Sequence, residues 1–240
     1  AGEDRILLVH TQFDNMAGPI TDALDALKKG DLRIIVNTHF HGDHTGGNQA
    51  LAQNATVVAH ENVRTRMIGG RTERLEDAAF RNSLPTVTYD DNASIHLNGE
   101  EIALIHMPPA HTDTDTVVHF TGSNVYHLGD LFFNGAFPFI DLAGGGDVQG
   151  YIDDVAALIE MIPANAKIIP GHGPLATRDD LITFHNALLE TTGIIRKGIA
   201  DGKDQEQLQK EGLPEKYASY GQGFIGTNRW ISIVFQSFSR

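Results

Sequence analysis

From Asn37 to Asn48 the chain reads Asn-Thr-His-Phe-His-Gly-Asp-His-Thr-Gly-Gly-Asn, which sets His39, His41, Asp43 and His44 within six positions directly after an apolar run. Four lone-pair donors so closely spaced predict a metal site rather than a loop of surface histidines. An extended backbone aims His39 and His41 at one ion, and a turn at Gly42 redirects Asp43 and His44 toward a second. Imidazole and carboxylate ligands without thiolate suit zinc, with iron and manganese as the other fits.

Three further candidates each stand where an apolar segment runs out. They are His111 in Pro-Pro-Ala-His-Thr-Asp, Asp130 in Tyr-His-Leu-Gly-Asp-Leu-Phe-Phe, and His172 in Ile-Ile-Pro-Gly-His-Gly-Pro. A buried strand that stops in a Gly or Pro loop presents one side chain at a sheet edge, where sites in open α/β folds form.

This ordered set, His-x-His-x-Asp-His followed by His111, Asp130 and His172, resembles the metallo-β-lactamase superfamily of hydrolases over most of the chain. The resemblance implies an α/β fold, a four-layer αββα sandwich of two mixed sheets flanked by helices. It implies that His39, His41 and His111 hold a first metal and Asp43, His44 and His172 a second. Asp130 then bridges both, or accepts hydrogen bonds from behind the ligands. Two divalent ions about 3.5–4 Å apart yield hydroxide from a bridging water near neutral pH. That hydroxide is expected to attack a carbonyl, the first ion polarising its oxygen and the second stabilising the leaving atom. Asp43 either orients the water and moves its proton or serves as a ligand alone.

For the substrate, the leading expectation is a β-lactam-type amide. The alternative is a thioesterase of the hydroxyacylglutathione-hydrolase type, and a noncatalytic metal-binding or relay protein is a third class. Family members with a cysteine at the position of Asp130 often carry a Lys three residues on, where this chain has Phe133. The segment Gly-Asp-Leu-Phe-Phe is closer to members that act on thioesters, although their Cys-Gly-Arg segment is missing. The residues from Phe132 to Ile140 are either an apolar pocket wall, with Phe133 and Asn134 touching substrate, or core. Arg178 and Arg229 are either anion anchors or helix-end charges. Gly144 to Gly146 predict a flexible loop and, without a phosphate-loop lysine, no nucleotide site. His10 stands where the family commonly has an Asp that supports the metal loop; an imidazole there keeps a hydrogen bond but not the charge. The other histidines, His60, His96, His106, His119, His127 and His185, lack ligand spacing and read as packed or hydrogen-bonded rings.

The elements that must position these residues follow from periodicity. Strands are predicted at 5–9, 33–38, 56–59, 86–89, 94–97, 101–106, 116–120, 124–128 and 167–169, with Asn98-Gly99 as a type I′ hairpin turn. Helices are predicted at 15–29, with Met16, Ile20, Ala23, Leu24 and Leu27 on one face, at 148–162 behind an Asp147 cap, at 178–199 and at 228–238. The polar stretch 201–215 reads as mobile. With 240 residues, 41% hydrophobic, the chain is expected to be one domain, 1–240, lacking the family's opening hairpin. The 31 acidic against 18 basic residues disfavour nucleic acid and leave a small-molecule substrate. No apolar run reaches the roughly eighteen residues of a membrane span, so no membrane partner is expected, and no basic, apolar start reads as a signal peptide. The lack of cysteine excludes disulfides. The family's antibiotic-facing members suggest a bacterial periplasmic or secreted location; the oligomeric state is left open.

Overall fold

The computed structural model describes residues 1–3 and 5–240. Its strands form two sheets, of four and five strands. The chain divides into two compact units, Ala1–His106 with Thr116–Ser123, and Met107–Asp115 with Asn124–Arg240.

In the first unit, β1 (Ile6–Val9), β2 (Leu32–Val36), β3 (Thr56–His60) and β4 (Val87–Tyr89) pair in sequence order. The resemblance implies that both sheets are mixed, yet all described pairings among these four strands are parallel. The connections explain it. Helix α1 (Ala17–Ala26) joins β1 to β2, the short α2 (Gly42–Thr45) and α3 (Asn48–Leu51) join β2 to β3, and α4 (Glu61–Ile68) and α5 (Ala78–Ser83) join β3 to β4. Each returns the chain to the same end of the sheet. Strand β2 is buried on both faces: Val36 packs with Val58, Ile102, Leu104 and Val118, while Ile35 packs with Val57 and Ala52. That two-sided burial is why it reads as a continuous apolar run. The same unit holds the antiparallel strands β5 (Asn92–Leu97), β6 (Glu100–His106) and β7 (Thr116–Phe120). Asn98 and Gly99, at φ 54° and 74°, make the predicted turn.

Helix α1 is shorter than predicted. Met16 falls in a 3-10 turn, and Lys28 takes φ 50°, which stops the helix after Leu27. Its expected apolar face is only half-buried at Ile20 and Leu24 and exposed at Met16, Ala23 and Leu27.

In the second unit, β8 (Val125–Phe133) and β9 (Lys167–His172) pair in parallel. Both run several residues beyond their predicted ends and so carry Asp130 and His172 within strand rather than loop. The extension follows from burial: after Val125 every residue of β8 is buried. Helix α6 (Val148–Met161) starts as predicted, with the Asp147 carboxylate accepting from the Gly150 amide at 2.8 Å. Helix α7 (Arg178–Ala200) begins with a capping box between Thr177 and Asp180. The stretch expected to be mobile contains α8 (Gln205–Glu211), begun by a second capping box between Asp204 and Gln207. Helix α9 (Thr227–Phe238) buries Trp230, which stacks on Phe137 with centroids 5.5 Å apart and donates from its indole to Thr191. No helix among the described residues is long and apolar enough to cross a membrane.

Candidate metal centre

In the first unit the loop after β2 carries four of the candidate ligands. His39 is fully buried and His44 nearly so, while His41 and Asp43 are partly exposed. The chain turns at His41 into the single turn of α2, where the His44 and Thr45 amides both donate to the His41 carbonyl. This brings the His39 ring within 4.9 Å of His41 and 4.3 Å of His44, centroid to centroid, and sets Asp43 Oδ2 3.2 Å from His44 Nε2. His10, His39 and His44 each offer one ring nitrogen, all within 4.8 Å of one another.

The loop is fastened from both ends of the motif. Asn48, fully buried, donates to Asn37 Oδ1 at 2.8 Å and to the Ser83 carbonyl at 2.9 Å, and Asn37 donates to the His44 carbonyl. Thr11 donates to that same carbonyl through its amide, at 2.9 Å, and accepts no part in the sequence pattern that flags the ligands. Asn37 and Asn48 did carry a signal, since they are buried amides bracketing the histidines.

In the second unit, His111, Asp130 and His172 converge. His111 Nε2 and His172 Nε2 each lie 3.4 Å from the same oxygen, Asp130 Oδ2. That separation is long for a hydrogen bond. It matches the edge of a tetrahedron, about 3.4 Å, spanned by two ligands bonded at roughly 2.1 Å to one ion. The His111 ring is oriented by a 2.6 Å hydrogen bond from Nδ1 to the Phe139 carbonyl, which directs Nε2 toward the carboxylate. His172 is stacked on Phe133, centroids 4.8 Å apart, and this end of β9 is held by the Asn134 amide donating to the His172 carbonyl. Phe132, Phe133, Phe137 and Ile140 are buried, so most of this aromatic segment is core; the Asn134 side chain donates to the Pro174 carbonyl. Gly171 faces Asp130 so closely that a Cβ there would run into the carboxylate and the Gly129 backbone. The missing side chain thus lets the β9 backbone pack closely against Asp130 Oδ1, while Oδ2 faces the two histidines. One fully buried imidazole, His111, a buried carboxylate, Asp130, and the exposed imidazole of His172 at these separations fit a cation, which would offset the cost of burying the first two.

Burial pushes the Asp115 carboxyl up to about 8, against the opposing effect of two hydrogen bonds from Thr112. These bonds close the turn that follows His111, and the motif His-Thr-Asp-Thr-Asp held that information unread. Asp154, buried in α6, is pushed up to about 7, by burial and then by Asp153. The Tyr151 hydroxyl donates to the Asp130 carbonyl at 2.9 Å, and burial raises its pKa well above the ordinary value.

Other residues of interest take structural positions. Gly146 packs against the His111 and Ala110 carbonyls with no room for a Cβ, so the glycine run expected to be flexible braces the His111 backbone. Arg178 donates from Nε to the Ile159 carbonyl at 2.7 Å, a helix-end contact, and Arg229 is exposed on α9. His60 caps α4 by accepting from the Asn62 amide and stacks on His106 at 3.7 Å; His127 accepts from the Gly129 amide.

The family model described as the metallo-beta-lactamase superfamily matches residues 4–172. Among curated proteins, the hydroxyacylglutathione hydrolase of Methylococcus capsulatus is 46% identical over 162 residues, 65% of this chain and 54% of that protein. Those of Nitrosococcus oceani and, in mitochondria, Saccharomyces cerevisiae are each 30% identical, covering 62% and 64% of this chain and 52% of each relative. The chain therefore spans about half the length of the curated relatives it matches. Among solved structures, a metallo-beta-lactamase from Pontibacter korlensis superposes with a TM-score of 0.64 at 20% identity, over 78% of this chain and 84% of the other. The B3 metallo-beta-lactamase BLEG-1 gives 0.63 at 19%, over 78% and 90%. These two share the fold, and the matched residues contain every candidate ligand: the chain belongs to the metallo-beta-lactamase superfamily.

Proposed function

We propose that the chain is a dinuclear, zinc-dependent hydrolase that cleaves thioesters of the hydroxyacylglutathione type. The observation that carries the metal chemistry is the pair of 3.4 Å separations from His111 and His172 to one oxygen of Asp130. In this reading His39, His41 and His111 would hold one ion and Asp43, His44 and His172 the other, with Asp130 as the ligand they would share, as the family pattern has it. The ions would supply Lewis acidity and a water acidified to near neutral pH. Asp43, partly exposed and 3.2 Å from His44 Nε2, is the carboxylate that would orient such a water and accept its proton. His111 and His172 are held by the Phe139 carbonyl and the Phe133 ring, so little reorganisation is needed when charge develops on the carbonyl oxygen.

The thioester is favoured over the lactam by the curated relatives named above, at 30–46% identity, whereas the lactamases share the fold alone. The sequence expectation of a lactam as the first choice is reversed accordingly. An apolar wall lies beside His111: the Phe139 ring is 6.1 Å from it, and Phe224, 88% exposed, lies edge-on to Phe139 at 6.5 Å. An exposed aromatic in a Gly-rich loop suits the hydrocarbon part of a substrate. The test is release of free thiol from a hydroxyacylglutathione, run beside a chromogenic cephalosporin, before and after chelation and zinc return. Zinc-restored thiol release with little or no lactam opening supports the proposal. Zinc-restored lactam opening without thiol release overturns the substrate class, and turnover indifferent to chelation overturns the metal mechanism.

A further inference from the structure

His10 is outside the proposed ligand set, yet its ring lies against His44 and against Thr38, which in turn meets His39. His10 directly follows β1, is buried, and has φ 67°, a left-handed conformation uncommon for residues other than glycine. Its Nδ1 lies 3.0 Å from His44 Nδ1, and its Nε2 lies 2.7 Å from Thr38 Oγ1. Thr38 Oγ1 in turn lies 3.1 Å from His39 Nδ1. One imidazole thus connects two candidate ligands, His44 directly and His39 through a hydroxyl.

Counting hydrogens along this path leaves one arrangement compatible with metal binding. A neutral histidine that ligates through Nε2 carries its proton on Nδ1. His44 then donates from Nδ1, and His10 Nδ1 must accept. His10 therefore carries its proton on Nε2 and donates it to Thr38 Oγ1. His39 donates from Nδ1 to the same oxygen, whose two lone pairs are filled by the two rings.

We propose that His10 is a positioning residue that, as the Nε2–H tautomer, locks His44 and His39 as Nδ1–H tautomers and so keeps Nε2 of both rings for the metal. The inference rests on the metal-centre reading above, and it goes beyond the ligand set by assigning the protons. A group that orients two ligands at once is expected to change metal affinity by 10- to 100-fold when lost.

The experiment reads tautomers and metal separately. Long-range 1H–15N correlation spectra of the zinc-loaded protein are expected to show Nε2–H for His10 and Nδ1–H for His39 and His44. In chelator competition, His10→Leu should bind zinc at least 10-fold more weakly than wild type, and His10→Asn should restore affinity. Asn Oδ1 can take the place of Nδ1 as acceptor, and Asn tolerates the left-handed backbone. Should His10→Leu fail to fold, the spectra and His10→Asn still decide. A His10 protonated on Nδ1, or a folded His10→Leu that binds zinc as tightly as wild type, overturns the proposal while leaving the metal centre intact. Loss in both variants would make His10 a direct ligand and equally overturns it. A wild-type protein that takes up no zinc sinks the metal-centre reading itself, and this inference with it.

Discussion

An alanine at position 171 would place a methyl group against the Asp130 carboxylate and the Gly129 backbone, neither of which can retreat within paired strands. Gly171→Ala is therefore expected to weaken zinc binding by about 10- to 100-fold, the range for disturbing a ligand's support. Competition with a chromogenic chelator measures it, and unchanged affinity would remove Asp130 from the centre. Residue by residue, the candidate ligands were legible because four of them crowd into six positions and three more end apolar runs. Their partners were not. Phe139 acts on His111 through a backbone carbonyl, which any residue possesses, and His10 and Thr38 meet only because β1 and β2 lie side by side.

Among the elements, α6 carries a buried acid whose ionisation opposes folding. The Asp154 carboxyl is raised from its ordinary 3.8 to about 7, chiefly by burial. An acid with a raised folded-state pKa stabilises the fold fully below pH ~4, and that contribution is lost as pH rises to about 7. Asp154→Asn should accordingly flatten the fall in stability between these values, with a difference from wild type that grows by a few kcal/mol across the window. Urea denaturation at a series of pH values checks this, and a constant difference would show that Asp154 is not strained by charge. Periodicity located all nine described strands and the long helices, because burial patterns and caps such as Asp147 are local. It misplaced the ends of β8 and β9, where strand pairing and burial continue through Gly and Pro, and it passed over the one-turn α2 and the capped α8. Those depend on tertiary packing or on side chains reaching back three residues.

For the molecule as a whole, membership of the superfamily follows from a match across residues 4–172, while the curated relatives are about twice as long as the part matched. The fold is thus written in the chain, whereas the ligand set and the thioester substrate belong to the proposal, in which the exposed Phe224 is the aromatic offered to substrate. The net charge of −13 is expected to favour divalent cations and to hinder nucleic acid, so polyanions such as heparin should not retain the protein on a column. On the proposed reading zinc binds the folded chain more tightly than the unfolded one, so saturating zinc should raise the melting temperature, and a chelator should lower it. The decisive measurement is elemental analysis of the purified, zinc-reconstituted chain after removal of loosely held metal. Two zinc ions per chain are expected, falling toward one in His172→Ala; less than one ion in the wild-type chain would contradict a dinuclear centre built from these residues.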